Sequence, residues 1–237
     1  VQHAWDRRLA ARALAFGGLA ALLTLLVQLT TDGATSWPRR LAMWAALAPV
    51  AGAIGVLAAA RIARAHGELR ALEALGVHPM AALRGAIAGG VALALAGAAL
   101  IGNRSTDLGA LFRRPAAPRS WVADAAGGMR ELTLGVRLAP GGVLEPLERL
   151  AEPSAPAGPP RALLVVVLVL FALAAPTWMA APRSLIRRAV VGLLALTVGI
   201  VAFVVVAAGH VGVAALALAP TLLGLDLVLG QARARGR

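Results

Sequence analysis

The sequence predicts an all-α polytopic membrane protein: six transmembrane helices in two groups of three, a short connecting helix between spans two and three, and a short irregular insert between the groups. Three observations predict it. Hydrophobic residues make up 59% of the 237 and charged ones 14%, with a mean hydropathy of +0.79, a balance foreign to water-soluble domains. Six apolar runs approach the roughly 20 residues needed to cross about 30 Å of hydrocarbon. Arginines collect on alternate connections, the asymmetry that orients a multi-pass chain.

The first run, Leu9 to Leu29, follows "HAWDRR". That basic start imitates a secretory leader, but the run is longer than a leader's apolar core and lacks a convincing cleavage site, so a retained span is expected. The second run, Leu41 to Ala60, contains Pro49, and the third extends from Met80 to Ile101. After a long polar stretch come Ala162 to Ala180, Ala189 to Ala208, and Val211 to Gly230, the last with Pro220 inside it. No sequence repeat relates the two halves.

All 23 basic residues are arginine. One side of the membrane collects Arg7, Arg8, Arg12, Arg61, Arg64, Arg70, Arg183, Arg187, Arg188, Arg233, Arg235 and Arg237, with Arg84 reaching toward it from inside the third span. The other side has Arg39 and Arg40 in a short loop and the rest along one long loop, where charge weighs less. Both termini and the 61–79 connection are therefore expected on the cytoplasmic side. Guanidinium groups suit lipid phosphates as well as nucleic acid, and the hydropathy selects the lipid, so no nucleic-acid partner is expected. There is no cysteine, hence neither a disulfide nor a thiolate metal site. There is no tyrosine either, which leaves five Trp as interfacial anchors.

The chain thus divides into 1–101, an insert over 102–161, and 162–237. The insert is polar and proline-rich and ends in "EPSAPAGPP". Within it "MRELTLGVRL" alternates as a strand or hairpin does, and "GGVLEPLERL" suits an amphipathic turn or two on the membrane surface.

Catalysis inside the membrane would need polar groups inside the runs, and these are nearly absent. All five serines lie in connections, and no span contains glutamate, so neither a buried serine nucleophile nor a helix-borne His/Glu metal site is available. Asp226 is the lone intramembrane carboxylate, where a two-aspartate mechanism needs a pair. It is either a proton or ion site or, close to the helix end, a charge neutralised by Arg233. His3, His66, His78 and His210 are scattered without ligand spacing. A P-loop needs a lysine, so any ATPase belongs to another chain. No enzyme activity, metal or cofactor is expected.

Between spans two and three runs "RAHGELRALEALGVHPMAALRG". Good helix formers from Ala65 to Leu75 predict about three turns, Gly76 a left-handed stop, and Pro79 a block to continuation. Arg64 with Glu68, and Arg70 with Glu73, are spaced for ion pairs. Leu69, Leu72 and Leu75 form an apolar stripe with Ala71 and Ala74. Such a helix lies on lipid, packs on other parts of this chain, or inserts into a partner.

These residues suggest a family. "LAPVAGAIGVLAAARIARAHGELRALEALGVHPMAALRGAI" resembles the LptF/LptG permeases of the lipopolysaccharide exporter, with a proline in span two followed by the R-x6-E-L-x-A-L-x-A-x-G pattern. "WDRRLAARALAF" is similar to that family's first-helix start, and "HVGVAALALAPTLLGLDLVLGQARARGR" to its last span and basic tail. The resemblance implies an ABC-type exporter in which two permease chains, copies or paralogues, enclose a cavity for a lipopolysaccharide-like amphiphile above two ATPase subunits. It also implies that the helix after span two is the coupling helix seated in an ATPase groove. Carried over by motif, its positions are Glu68, Leu69, Ala71, Leu72, Ala74 and Gly76, to which the stripe adds Leu75; helix-in-groove docking needs apolar knobs of this kind.

The sequence departs from the family at one point. The insert of about sixty residues is too short for the family's periplasmic jellyroll of eight strands. Arg39, Arg40 and Arg104, near the outer ends of the first three spans, either hold an anionic headgroup or are solvated loop charges. Two other functions fit the same layout: a phospholipid-trafficking permease of the MCE type, and a non-transporting scaffold whose helix recruits a soluble partner.

Overall fold

The computed structural model describes residues 2–31, 36–103, 106–108, 112, 121–123, 127–131, 136–139, 141–146, 161–182, 184–208 and 210–235. Among the described residues eight α-helices follow in order: α1 (Gln2–Thr31), α2 (Trp37–Ala65), α3 (Glu68–Ala74), α4 (Pro79–Ala82), α5 (Arg84–Gly102), α6 (Arg161–Ala180), α7 (Leu185–Ala207) and α8 (Leu218–Arg235). Six segments are long and apolar enough to cross a membrane: α1, α2, α5, α6, α7 and the stretch Val213–Gly230 that includes most of α8. The protein is an all-α, multi-pass membrane protein.

Glycine determines how closely the first group packs. A Cβ at Gly52 would collide with the carbonyl of Gly90, and one at Gly55 with the carbonyl of Ala13, so α2 meets both α5 and α1 backbone to backbone. A Cβ at Gly89 would stand 2.6 Å from the Ala10 oxygen, closing the third contact of the triangle. In lipid, where apolar surface gains little by hiding from other apolar surface, close backbone approach is the main source of helix association. The small residues are thus used inside one chain, and their spacing says nothing of a second. Gly18 is an exception, with open space around it.

Half of the most apolar stretch of α2 is buried, against 17% for α1 and α7. Helix α2 is therefore the central post, with α1 and α7 showing Leu22, Leu26, Leu193 and Leu196 to the surrounding lipid. Pro49 lies fully buried within α2. Its missing N–H leaves the Ala45 carbonyl without a helical donor, and Gly97 of α5 closes on that oxygen, a Cβ there standing only 2.6 Å away.

Three predicted boundaries change. The helix expected over Ala65 to Leu75 is shorter, because α2 runs on to Ala65 and Gly67, at φ 74, turns the chain before α3 begins. Gly76, at φ 80, ends α3 as expected; Val77 N donates to Leu72 O and Gly76 N to Glu73 O, both at 3.0 Å, the paired closure of a left-handed C-terminus. The third span breaks at Leu83, leaving α4 as one turn capped by the His78 ring, whose Nδ1 accepts from Met80 N at 3.3 Å. The sixth span starts as a 3-10 turn, Val213–Ala217, since Pro220 can neither donate to the preceding turn nor tolerate its carbonyl in α-geometry.

The insert is less irregular than expected. Strands β1 (Trp121–Ala123), β2 (Met129–Glu131), β3 (Val136–Leu138) and β4 (Leu144–Pro146) form one antiparallel meander in sequence order. The hairpin expected in "MRELTLGVRL" is β2 on β3, with Arg130 opposite Arg137. The surface helix expected in "GGVLEPLERL" is replaced by β4, paired Leu138 to Leu144 across a turn in which Gly142 takes φ 77; residues 147–150 lie outside the described set.

Candidate functional site

The connection between spans two and three is held by α1. Arg12 Nη1 donates to Glu68 Oε2 at 2.8 Å, and Arg8 approaches the other carboxylate oxygen at 3.7 Å. The Arg12 hydrogen bond, aided by the charges of Arg12, Arg8 and His66, holds the Glu68 carboxyl below its usual pKa, although partial burial pulls the other way. Gly67 is the reason Glu68 faces this way. A continuous helix would have put it one turn beyond Arg64, whereas the left-handed residue swings it toward α1.

Leu69 follows Glu68 inward, 3% exposed, among Leu9, Ala13, Val56, Ala63 and Leu83. Leu72 packs on the rim of the same cluster. The expected stripe is therefore split: Leu69 and Leu72 seat α3 on its own bundle, while Ala71, Ala74 and Gly76 are exposed and Leu75 is 79% exposed. Arg70 and Glu73 are exposed and form no ion pair among the described residues.

A second clip joins α1 to the start of the third span. Arg84 binds Asp6 Oδ2 through Nε at 2.7 Å and Nη2 at 2.6 Å, and Trp5 Nε1 donates to the Ala82 carbonyl at 2.9 Å. The indole thus takes the carbonyl at the break between α4 and α5. Residues 5–12 fix both ends of the short connection that contains α3. Sequence reasoning missed these partners; the only local signal was an acid, Asp6, within an otherwise basic N-terminal turn.

Across the bundle at the same arginine-rich end, Asp226 is 8% exposed. It accepts from Trp178 Nε1 at 2.9 Å and from Arg187, whose Nε lies at 2.9 Å and whose Nη2 closes on the same oxygen. Arg187 of α7 is thus a neutralising partner of Asp226; the side chain of Arg233, the partner expected from the sequence, lies outside the described set. The indoles also act within the protein. Trp5, Trp178 and Trp44, the last donating to Ala21 O at 3.1 Å, tie helices together; Trp37 stays exposed with the Arg40 guanidinium 5.9 Å from its ring centre.

At the opposite end, Arg161 closes α5. Its guanidinium donates to the carbonyls of Ile101 (2.9 Å), Asn103 and Thr106 (3.0 Å) and to Thr106 Oγ1 (2.9 Å). A helix C-terminus presents unpaired carbonyls and negative potential, which a cation satisfies. Arg39 and Arg40 are half-buried in the first turn of α2, and Arg104 lies outside the described residues. Close by, α5, α6, α7 and the 3-10 turn enclose an apolar cavity of about 200 Å³ lined by residues such as Ile101, Leu164, Phe171 and Leu216. No three His, Asp or Glu gather as a metal site among the described residues. Compared with known proteins, the chain matches no family model, no curated protein and no solved structure.

Proposed function

We propose that the chain is the permease subunit of an ABC-type lipid exporter, pairing with a second permease chain and with separate ATPase subunits to move a lipopolysaccharide-like amphiphile. Its membrane would be the bacterial inner membrane, with both termini on the ATPase side. The observation that supports this most is the state of α3: a rigid two-turn helix, clamped to α1 through Glu68 and seated by Leu69, with Ala71, Ala74 and Leu75 directed away from the bundle. A helix that transmits force between two proteins must be fixed on one side and sticky on the other, and small apolar residues beside a protruding leucine fit a groove on a soluble partner.

The test is gentle extraction of tagged full-length chain from native membranes, with mass spectrometry of what accompanies it. An ABC ATPase should co-purify with wild type and be lost from Leu75→Asp, which places a charge on the outward ridge without touching the bundle. Retention of the ATPase by Leu75→Asp overturns the role of α3. A chain isolated alone, without ATPase or second permease, overturns the exporter reading and leaves a scaffold in its place.

A further inference from the structure

We infer that the cavity between α6 and α7 holds one acyl chain of a bilayer lipid. At the arginine-rich end the Trp178 ring of α6 covers Gly192 of α7, a Cβ there standing 3.2 Å from the indole, while its Nε1 bonds Asp226 of α8. Further along, both helices line the apolar space. Leu168 and Phe171 of α6 then face Gly199 and Phe203 of α7 across the space of about 200 Å³, and Phe112 of the insert leans on Phe203 with ring centres 5.8 Å apart and planes at 44°.

The chemistry of the walls selects the occupant. Every described lining side chain is apolar, so water would find few hydrogen-bond partners, and polar or charged ligands would be stripped of theirs. A helix about 10 Å across does not fit. An aliphatic chain does: apolar cavities of about 150 Å³ already take a benzene ring. The medium around these helices is itself hydrocarbon, and an unfilled space of this size would forfeit dispersion contacts along all its walls.

The site needs neither an ATPase nor a second permease, so its test is independent of the transport reading. Purified chain is placed in phosphatidylethanolamine vesicles containing a rising fraction of phosphatidylcholine with a diazirine at mid-chain, then irradiated and mapped by peptide mass spectrometry. Adducts on Leu168, Phe171 and Phe203 are expected to saturate as the probe fraction rises, whereas those on the openly lipid-facing Leu22 and Leu26 of α1 rise in proportion. Gly199→Phe, which puts a ring into the space, should abolish the saturable adducts and leave those on α1 unchanged. Proportional labelling at both places in wild type overturns the inference, whether or not the variant folds. Saturable labelling that persists in a folded Gly199→Phe protein overturns the location.

Discussion

The Arg12 guanidinium reaches across 56 residues of sequence to the Glu68 carboxylate at 2.8 Å, and so makes the first span the anchor of the short helix after the second. With Leu69 sealed beneath it among residues of α1 and α2, α3 is tied to α1 as well as to the helix it follows. Movement of α1 in the membrane would be transmitted to the exposed ridge of Ala71, Ala74 and Leu75.

Loosening that seat has a graded outcome. Glu68→Gln removes a partly solvated ion pair and is expected to cost about 1 kcal/mol, whereas Leu69→Ala empties a packed site and should cost roughly 2–4 kcal/mol. Hydrogen exchange over residues 68–75 in detergent should rise modestly in the first variant and strongly in the second. Equal, unchanged exchange in both would mean that α3 is not held by α1.

The same ion pair sets a pH dependence. The Glu68 carboxyl is held below its ordinary value of 4.5, so the folded state binds its proton less readily than the unfolded one. Its stabilisation is complete above about that value and is lost as the pH falls through the lowered one. Protection of α3 should therefore be level from neutrality down to mildly acidic pH and decline below it. Glu68→Gln should remove the decline.

For Asp226 the expected signature is non-additivity. Asp226→Leu takes the carboxylate from the Arg187 guanidinium and the Trp178 N–H, and Arg187→Leu takes a countercharge from a nearly buried carboxylate; each should lower stability by about 3 kcal/mol. The double variant, with neither charge, should lose less than the sum, read as the midpoint of thermal unfolding in detergent. Strict additivity would show that the two residues are uncoupled.

Gly55 and Gly18 form a contrasting pair. Gly55→Leu drives a side chain into the Ala13 carbonyl and should abolish the folded, monodisperse protein, since overpacking costs of about 1–3 kcal/mol apply even where neighbours give way. Gly18→Ala meets nothing within 4 Å and should leave expression and elution profile unchanged.

Two thiols test orientation in a chain without cysteine. His66→Cys and Val143→Cys, both exposed, should react with an impermeant reagent from opposite sides of the membrane, the first only after permeabilisation. The same accessibility for both would refute the six-span topology.

The six spans, the left-handed stop at Gly76 and the hairpin of β2 and β3 were legible in the sequence because each is a local property. Hydropathy sums over about 20 residues against a slab of hydrocarbon, a helix ends where glycine admits φ 80, and alternation with period two is read within ten residues. The site was legible only in outline. Its short helix could be located, but Leu69, Leu72 and Leu75 look alike in one dimension, and only the backbone turn at Gly67 together with the close approach of α1 sends the first inward and leaves the last exposed.

Asp226 makes the same point from the other end of the chain. Within its own helix the nearest cation in sequence is Arg233, and local reasoning pairs them. A partner that sequence does not suggest is Arg187, 39 residues earlier, because α7 and α8 are packed side by side with the indole of Trp178 filling the third direction. Sequence alone determined how many helices cross and which stretches of chain they use. Which residues meet was decided only by tertiary packing, because glycine contacts set the distances between helices, and a buried charge pairs with whatever opposite charge those distances bring to it.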